Sequence, residues 1–352
     1  MDYTKLITDL ITTLDHEGGS DLHISVGRQP AIRVSGNLIF LVNQPVLKKE
    51  DVMGILTAIL PKEKLDRFTH DQELDFSYAP TPDMRLRGNA FIQKGNIAVA
   101  FRLIPKVKQL NDLKLPPILA DFAAKKQGFF LVVGPVGQGK STTLASMVNL
   151  INETRTEHIV TVEDPIEYVY ESKHSIIDQR EVGIDTASFE SALKSIFRED
   201  VNVILIGEMR TSETIATAVT AAETGHLVLS TLHTNNASQT IDRIIDSFPP
   251  EAQNQIRMQL STSLLGIFSQ RLVPRIAGGR VPAYELLINN TAVSNLIREK
   301  RTKEIDVVIE TGYEQGMIDM NRSLLELVRA GEISIENARL FSLNPKGLER
   351  LM

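Results

Sequence analysis

The chain has 352 residues, enough for two domains that each bury a core of their own. Its formal net charge of -6 at pH 7 argues against the evenly basic surface of a non-specific DNA-binding protein. The absence of cysteine excludes disulfides, thiolate nucleophiles and cysteine-ligated zinc, and it is typical of a reducing compartment such as the cytoplasm.

The N-terminal part of the chain predicts a small α+β domain over residues 1–103. Apolar residues recur at helical spacing near residues 4–16, which indicates a folded helix and not a signal peptide, and a second helix is predicted near 49–59. Residues 35–37 separate two apolar runs and predict a hairpin turn. Apolar and aromatic residues between 75 and 103 have the pattern of strands.

The rest of the chain predicts an α/β domain over residues 118–352, after a proline-containing linker or hinge at 104–117. Short apolar runs alternate there with amphipathic helices, which indicates a parallel sheet. The runs cover residues 129–133, 159–162, 203–206 and 227–229. From about residue 250 the chain is predicted to be mainly helical. The most apolar run is far too short to cross a bilayer, which takes about 20 residues, so no transmembrane segment is expected.

A phosphate-binding loop pattern, G-x-x-x-x-G-K-[ST], lies between the first apolar run and a predicted helix. It consists of Gly134, Pro135, Val136, Gly137, Gln138, Gly139, Lys140 and Ser141. Backbone N–H groups of such a loop and the following helix converge on phosphate oxygens, with Lys140 at the β- and γ-phosphates and Ser141 at Mg²⁺. Thr142 is included among the predicted nucleotide-binding residues. The alternative is a glycine-rich turn without a ligand. The guanine-reading motif Asn-Lys-x-Asp is absent, which favours ATP over GTP.

Carboxylates follow two of the predicted buried strands. Glu163, Asp164 and Glu167 come after residues 159–162, and Glu208 comes after 203–206. The carboxyl edge of an open α/β sheet is where ligands bind, and carboxylates there hold the Mg²⁺ shell or orient an attacking water. A single acid after a strand is more often a helix N-cap or a solvated loop residue. Two such groups after a phosphate loop favour the catalytic interpretation.

Two histidines mark the last predicted strand of the sheet. His233 stands at its end among polar residues, where it could sense the γ-phosphate. The alternative for His233 is a hydrogen-bonded core residue. His226 stands at the start of the strand and is predicted to be structural or to lie at a subunit boundary.

This combination resembles the type II/IV secretion ATPase superfamily. The phosphate loop is its Walker A motif, residues 163–167 its Asp box, 207–210 an atypical Walker B motif and 226–242 its His box. Further segments resemble the pilus retraction ATPases, the PilT family: residues 20–25, 87–91, 101–105 and 292–299. The retraction branch is the better match, because assembly and type II secretion ATPases carry a long extra N-terminal domain and commonly a four-cysteine zinc module, neither of which is expected here. Three residues depart from the family pattern. Gln138 stands where the family usually has serine, Thr211 where it has aspartate, and Ser294 where it has arginine.

The resemblance implies a RecA-like ATPase domain after a PAS-like α+β domain, in a hexameric ring that holds nucleotide between the two domains. It implies catalytic roles for Glu163, Glu167, Glu208 and His233, with Ser141 and Asp164 at Mg²⁺. Glu167 and Glu208 would activate or place water, and which of them is the base stays open. Arg85, Arg87 and Arg102 either neutralise phosphate charge or belong to a solvated strand face.

The implied function is that of an ATP-hydrolysing motor for type IV pilus retraction and twitching motility, using ATP and Mg²⁺. Such a motor works on the cytoplasmic side of the inner membrane through a platform protein, and no stable nucleic acid partner is expected. The alternatives are a pilus assembly or secretion ATPase, a non-hydrolysing accessory ring of the same machine, and a DNA-transport ATPase of related fold.

Overall fold

The computed structural model describes residues 2–34, 36–81 and 84–352. The chain divides into two compact units, Met1–Lys106 and Val107–Met352. The predicted hairpin turn at residues 35–37 includes Ser35, which lies outside the described residues, although the two strands that it joins pair as expected, with Val34 opposite Asn37.

The first unit is a six-stranded antiparallel sheet with three helices. Its elements are α1 (Tyr3–His16), β1 (Gly19–Ser25), β2 (Ala31–Val34), β3 (Asn37–Phe40), α2 (Lys49–Ile59), α3 (Lys62–Asp71), β4 (Glu73–Thr81), β5 (Met84–Gln93) and β6 (Asn96–Ile104). The strand order is β3-β2-β1-β6-β5-β4. Helix α1 buries Ile7, Leu10, Ile11 and Leu14, whose spacing places them on one face. The α+β prediction is confirmed.

The second unit is built on a mostly parallel sheet of seven strands. Its elements up to the last parallel strand are α4 (Ile118–Ala123), β7 (Gly128–Val133), α5 (Lys140–Thr154), β8 (His158–Glu163), β9 (Ile176–Glu181), α6 (Phe189–Ile196), β10 (Val203–Ile206), α7 (Ser212–Glu223), β11 (Leu227–Leu232), α8 (Ala237–Asp246), α9 (Pro250–Ser263) and β12 (Leu264–Pro274). With β13 (Arg280–Ile288) at one edge, the strand order is β13-β12-β7-β11-β10-β8-β9. Strands β7, β10 and β11 are buried along their whole length, as their continuous apolar runs predict.

The end of the chain corrects one prediction. The prediction that the chain is mainly helical from about residue 250 is wrong for residues 264–288. There β12 pairs antiparallel with β13 (Arg280–Ile288) and parallel with β7. Three polar residues of β12, Ser269, Gln270 and Arg271, interrupt its apolar run, which hides the strand in the sequence. Helices then follow: α10 (Thr291–Arg298), α11 (Ile305–Thr311), α12 (Met320–Arg329), α13 (Ile335–Phe341) and α14 (Pro345–Leu351).

Most of the segment suggested as a linker belongs to the second unit. The division falls between Lys106 and Val107. Leu110 and Leu115 are buried in a core cluster of that unit, and the Ser146 hydroxyl of α5 donates to the Lys108 carbonyl at 2.5 Å. Burial of this kind fixes residues 107–117 to the second unit.

Within the described residues, every helix is too short or too polar to traverse a lipid bilayer.

Candidate active site

The phosphate loop joins the end of β7 to the start of α5. Gly134, Gly137 and Gly139 have φ angles of 148°, 77° and 80°, in the region that favours glycine. A Cβ atom on Gly134 would lie 2.5 Å from the Gln270 carbonyl oxygen, so the loop needs glycine there for space as well. Gly134 and Gly139 are the two glycines that the sequence pattern requires, and these angles explain why.

The phosphate loop carries a run of backbone N–H groups that have no acceptor in the described part of the chain. Among the described residues, no hydrogen-bond acceptor meets the N–H groups from Val136 to Thr142, and Thr143 is the first residue to bond back, to the Gly139 carbonyl. Gly139 caps α5 without a side-chain acceptor. Free N–H groups at the positive end of a helix dipole form an anion site, so this loop fits the phosphates of a nucleotide.

Lys140 is buried within this loop. Its Nζ donates to the carbonyls of Gly134 at 2.9 Å and Pro135 at 3.0 Å, and it lies 3.2 Å from Nδ1 of His233. Burial lowers the pKa of Lys140 to about 8, although the charges of Glu167 and Glu208 oppose the shift. The ammonium group is therefore desolvated and held by neutral acceptors, which an anionic phosphate would replace with a stronger partner.

Glu208 and His233 meet Lys140 at the carboxyl edge of the sheet. Glu208 follows β10 and His233 follows β11, two parallel neighbours. One Glu208 oxygen lies 2.5 Å from Arg210 Nη2, and the other lies 3.8 Å from His233 Nε2. Burial and the Lys140 charge lower the pKa of His233, so its neutral ring can accept from Lys140 through Nδ1. The Walker A, Walker B and His box segments thus converge in the structure.

The Asp box is arranged around Glu163, which is buried. One of its oxygens accepts from the Thr161 hydroxyl at 2.7 Å, and the other accepts from the Glu167 backbone N–H at 3.3 Å. Burial raises the pKa of Glu163. Because both oxygens are engaged, Glu163 fixes the loop that carries Glu167. Asp164 and Glu167 are exposed.

Tyr168 is a site residue that the sequence interpretation missed. Its hydroxyl lies 2.7 Å from the Thr142 hydroxyl of α5, and Gln179 of β9 donates to its carbonyl at 2.7 Å. The Asp box loop is therefore tied to the phosphate loop at Thr142. The sequence shows only a tyrosine directly after the Asp box, whereas its burial and its hydroxyl partner on α5 are seen in the structure alone.

Predicted metal ligands are sparse, as expected where a nucleotide supplies most oxygens to Mg²⁺. No group of three or more His, Asp or Glu side chains in the part of the chain that the structure describes could hold a metal alone. The half-buried Ser141 at the start of α5 and the exposed Asp164 stay the predicted ligands.

The three arginines predicted to neutralise phosphate lie in the first unit, on one face of its sheet. Arg87 is opposite Arg102 in the pairing of β5 with β6, and Arg85 is two residues from Arg87. Each has a partner in that sheet: Arg85 donates to Ser77 at 3.0 Å, Arg87 lies 3.8 Å from Asp75, and Arg102 lies 2.9 Å from Asp21. Their role toward a nucleotide stays a prediction.

Two departures from the family pattern have local explanations. The Thr211 hydroxyl caps α7 by accepting from the Thr214 N–H, as an aspartate would, and it donates to Glu190 at 2.8 Å. Ser294 of α10 lies 2.8 Å from the Ser261 carbonyl through its hydroxyl. Both residues are accommodated by the fold.

Comparison with known proteins identifies the family. The family model described as Type II/IV secretion system protein matches residues 106–278. The type IV pilus retractation ATPase PilT of Pseudomonas aeruginosa is 44% identical over 334 residues, which cover 95% of this chain and 97% of that protein. A twitching motility protein of Neisseria gonorrhoeae is 46% identical over 321 residues, covering 91% of this chain and 86% of that one.

A solved structure agrees over the same length. The crystal structure of the pilus retraction motor PilT with bound ADP superposes with a TM-score of 0.91 at 44% identity, and the match covers 99% of each chain. The predicted two-part architecture, with a RecA-like second part, is thereby confirmed. This chain belongs to the PilT family of type II/IV secretion ATPases.

Proposed function

We propose that this chain hydrolyses ATP with bound Mg²⁺ and, as a ring of six subunits, drives type IV pilus retraction and twitching motility. The observation that carries the proposal is the meeting of Lys140, His233 and Glu208 beside the phosphate loop. Membership of the PilT family supports pilus retraction as the work performed. The ring would act from the cytoplasmic side of the inner membrane, through a platform protein.

Different residues of the site would perform different parts of ATP hydrolysis. The N–H groups from Val136 to Thr142 would hold phosphate oxygens, and Lys140 would neutralise their charge. Mg²⁺, bound by Ser141 and the nucleotide, would neutralise charge that develops on the β- and γ-phosphates. Glu208, which pairs with Arg210, would orient the attacking water, with Glu167 as the second carboxylate.

Phosphate release from ATP by the purified chain tests the enzymatic part. We expect Mg²⁺-dependent release by the wild type and a loss of about a hundredfold or more in Lys140→Ala, because a preorganised charge at the phosphates is removed. Lys126→Ala, at an exposed position before β7, is the matched control. Wild-type protein without release, or Lys140→Ala with full activity, would contradict hydrolysis and favour an accessory ring that only binds nucleotide.

The motor part is tested separately. The mass in solution with ADP should be six times that of the single chain, and single chains under all nucleotide conditions would count against a ring. A deletion strain should carry excess pili and not twitch, as a block in retraction predicts. A strain without pili would instead indicate an assembly ATPase.

A further inference from the structure

We propose that Gln270 and Arg271, near the end of β12, are positioning residues of the ATPase site, where Gln270 fixes the phosphate loop and Arg271 fixes the loop after His233. Together they would keep Lys140 in contact with His233. The inference rests on the proposed hydrolysis of ATP, because its kinetic consequence is a slower reaction.

The position of β12 brings it to both loops. Its pairing with β7 ends at Ser269 opposite Val133, where the chain leaves β7 for the phosphate loop. Strand β12 continues to Pro274, paired with β13 alone on the other side. On the side of β7, residues 270–272 therefore lie beside the phosphate loop instead of beside a strand. Side chains alternate between the two faces, so Gln270 points to one loop and Arg271 to the other.

Gln270 is buried and bonded to the phosphate loop at two places. Its Nε2 donates to the Gln138 carbonyl at 2.8 Å, and its Oε1 accepts from the Thr143 hydroxyl at 2.7 Å. A Cβ atom on Gly139 would lie 2.9 Å from that Nε2, which leaves no room for another residue. One amide thus joins the loop to the first turn of α5.

Gln138 adds a third bond on the same side. Its Oε1 accepts from the Leu272 N–H at 2.6 Å. Leu272 lies opposite Pro282, which has no N–H, and its own N–H points away from β13 toward the loop. Gln138 stands where the family usually has serine, whose side chain is two atoms shorter along its length. The departure from the pattern therefore gives this chain an additional attachment between phosphate loop and β12.

Arg271 is buried and bonded to the loop after His233. Its Nη2 donates to the carbonyl and to Oδ1 of Asn235, at 3.1 and 3.0 Å, and its Nη1 donates to the Gln270 carbonyl at 2.9 Å. The Ser269 hydroxyl also donates to the Asn235 carbonyl, at 2.8 Å. Two side chains of one face of β12 thus fix a loop residue that is two positions from His233.

The contact between Lys140 and His233 depends on both loops. The two residues are far apart in sequence, and their Nζ and Nδ1 atoms lie 3.2 Å apart. A shift of about 1 Å in either loop would break this hydrogen bond. Loosening the phosphate loop weakens nucleotide binding itself, whereas displacing His233 leaves the phosphate donors in place. The two residues should therefore affect different kinetic constants.

Gln270→Met and Arg271→Met separate these effects, because methionine keeps the length of glutamine and much of the aliphatic part of arginine but removes the hydrogen bonds. Gln255→Met on α9 and Arg280→Met on β13, both exposed positions, are the matched controls. Binding of fluorescent ADP, KM, kcat and thermal unfolding are measured for each. We expect Gln270→Met to weaken ADP binding and raise KM by about tenfold, with a smaller fall in kcat because the Lys140 contact with His233 is loosened. We expect Arg271→Met to lower kcat by about tenfold with ADP binding nearly unchanged.

A conservative variant that recovers kcat distinguishes a positioning role of Arg271 from a role in the stability of the fold. Arg271→Lys keeps a donor for Asn235 and should recover part of the lost kcat. Equal changes of ADP binding and kcat in both variants, or none in either, would overturn the proposal. If the methionine variants do not fold, Gln138→Ser decides, since it removes only the bond to Leu272. It should weaken ADP binding by about threefold, and unchanged binding would overturn the phosphate-loop part.

Wild-type activity separates this inference from the proposed function. Wild-type protein that releases no phosphate would contradict hydrolysis, and the effect of Gln270→Met on ADP binding would still test the phosphate-loop part. The positioning roles alone would be overturned if the wild type hydrolyses ATP but the Gln270 and Arg271 variants change ADP binding, KM and kcat in the same way.

Discussion

Two groups of cationic side chains, one in each unit, have opposite surroundings. In the first unit, Arg85, Arg87 and Arg102 are exposed on a sheet face beside hydroxyl or carboxylate partners. In the second, Lys140 and Arg271 are buried, and their hydrogen bonds go to carbonyl, amide and imidazole acceptors. Burial lowers the pKa of both buried groups. The comparison shows that the strength with which a cationic side chain can bind an anion depends on its burial as well as on its residue type.

The difference follows from solvation. Water and salt screen an exposed charge, and an exposed ion pair contributes little to stability. A buried charge has already lost its water, so an anion that meets it gains a strong interaction without further desolvation of that group. Substitutions of buried charged groups near the site should consequently have far larger effects than substitutions of the exposed arginines.

After the loss of Lys140, the largest effect is expected for Glu208, a partly buried carboxylate at the site. Glu208→Gln should lower kcat about a hundredfold, about 2.7 kcal/mol in the barrier, because the amide cannot orient water as a carboxylate does. Glu167→Gln, at an exposed position, should lower kcat about tenfold. Phosphate release measures both, with Glu213→Gln on α7 as the control. Equal rates for wild type and Glu208→Gln would contradict the site assignment.

A buried acid of the second unit extends the comparison to stability. Glu285 on β13 accepts from the Ala237 N–H at the start of α8, at 2.8 Å. Burial first, and then Asp306 and Asp319, raise its pKa from 4.5 to about 7, against the opposing effects of that hydrogen bond and Arg271. A carboxyl whose pKa is raised in the folded state stabilises the protein fully below pH 4.5, and this contribution is lost as pH rises through 7.

The second unit should therefore become less stable by about 2 kcal/mol between pH 5 and pH 8, and Glu285→Gln should remove most of this loss. Urea unfolding at the two pH values measures it, with Glu310→Gln, at an exposed position of α11, as the control. If Glu285→Gln has the same pH dependence as the wild type, Glu285 is not the group that titrates.

The lowered pKa of Lys140 predicts that ADP affinity depends on pH, with a smaller free-energy effect than the two predictions above. Below about pH 8 the ammonium is charged before nucleotide arrives, and above it the group must take up a proton when phosphate binds. ADP affinity should therefore fall by about tenfold for each pH unit above 8. Lys140→Arg, which stays protonated, should show affinity independent of pH between 7 and 9. Wild-type affinity that is constant over this range would contradict the assignment.

Local patterns allowed most of the site to be predicted from the sequence. The glycines of the phosphate loop are required by φ angles, which act within a few residues, and Lys140 follows from the same motif. Glu208 and His233 could be placed because parallel strands bring their ends to one edge. Apolar runs likewise predicted β7, β10 and β11.

Contacts between distant segments could not be predicted in this way. Ser269, Gln270 and Arg271 are polar but buried, since they bond to loops that come from elsewhere in the sequence, so β12 lacked the apolar pattern of a core strand. Tyr168 was missed for the same reason, because its partner Thr142 belongs to another segment. Hydrophobic periodicity records which residues avoid water, and it does not record which polar groups satisfy one another.

The smallest effect is expected in the first unit. Arg102 is 73% exposed and lies 2.9 Å from Asp21 of the neighbouring strand. Arg102→Met should lower the free energy of unfolding by less than about 1 kcal/mol, in line with other exposed ion pairs. Urea unfolding measures it beside Arg67→Met, which removes the exposed pair with Asp71 on α3. A decrease in the free energy of unfolding as large as that caused by breaking a buried ion pair would contradict the contrast between the two units. A loss of ATP hydrolysis with stability unchanged would instead assign the Arg102 charge to the nucleotide, as the family resemblance implies.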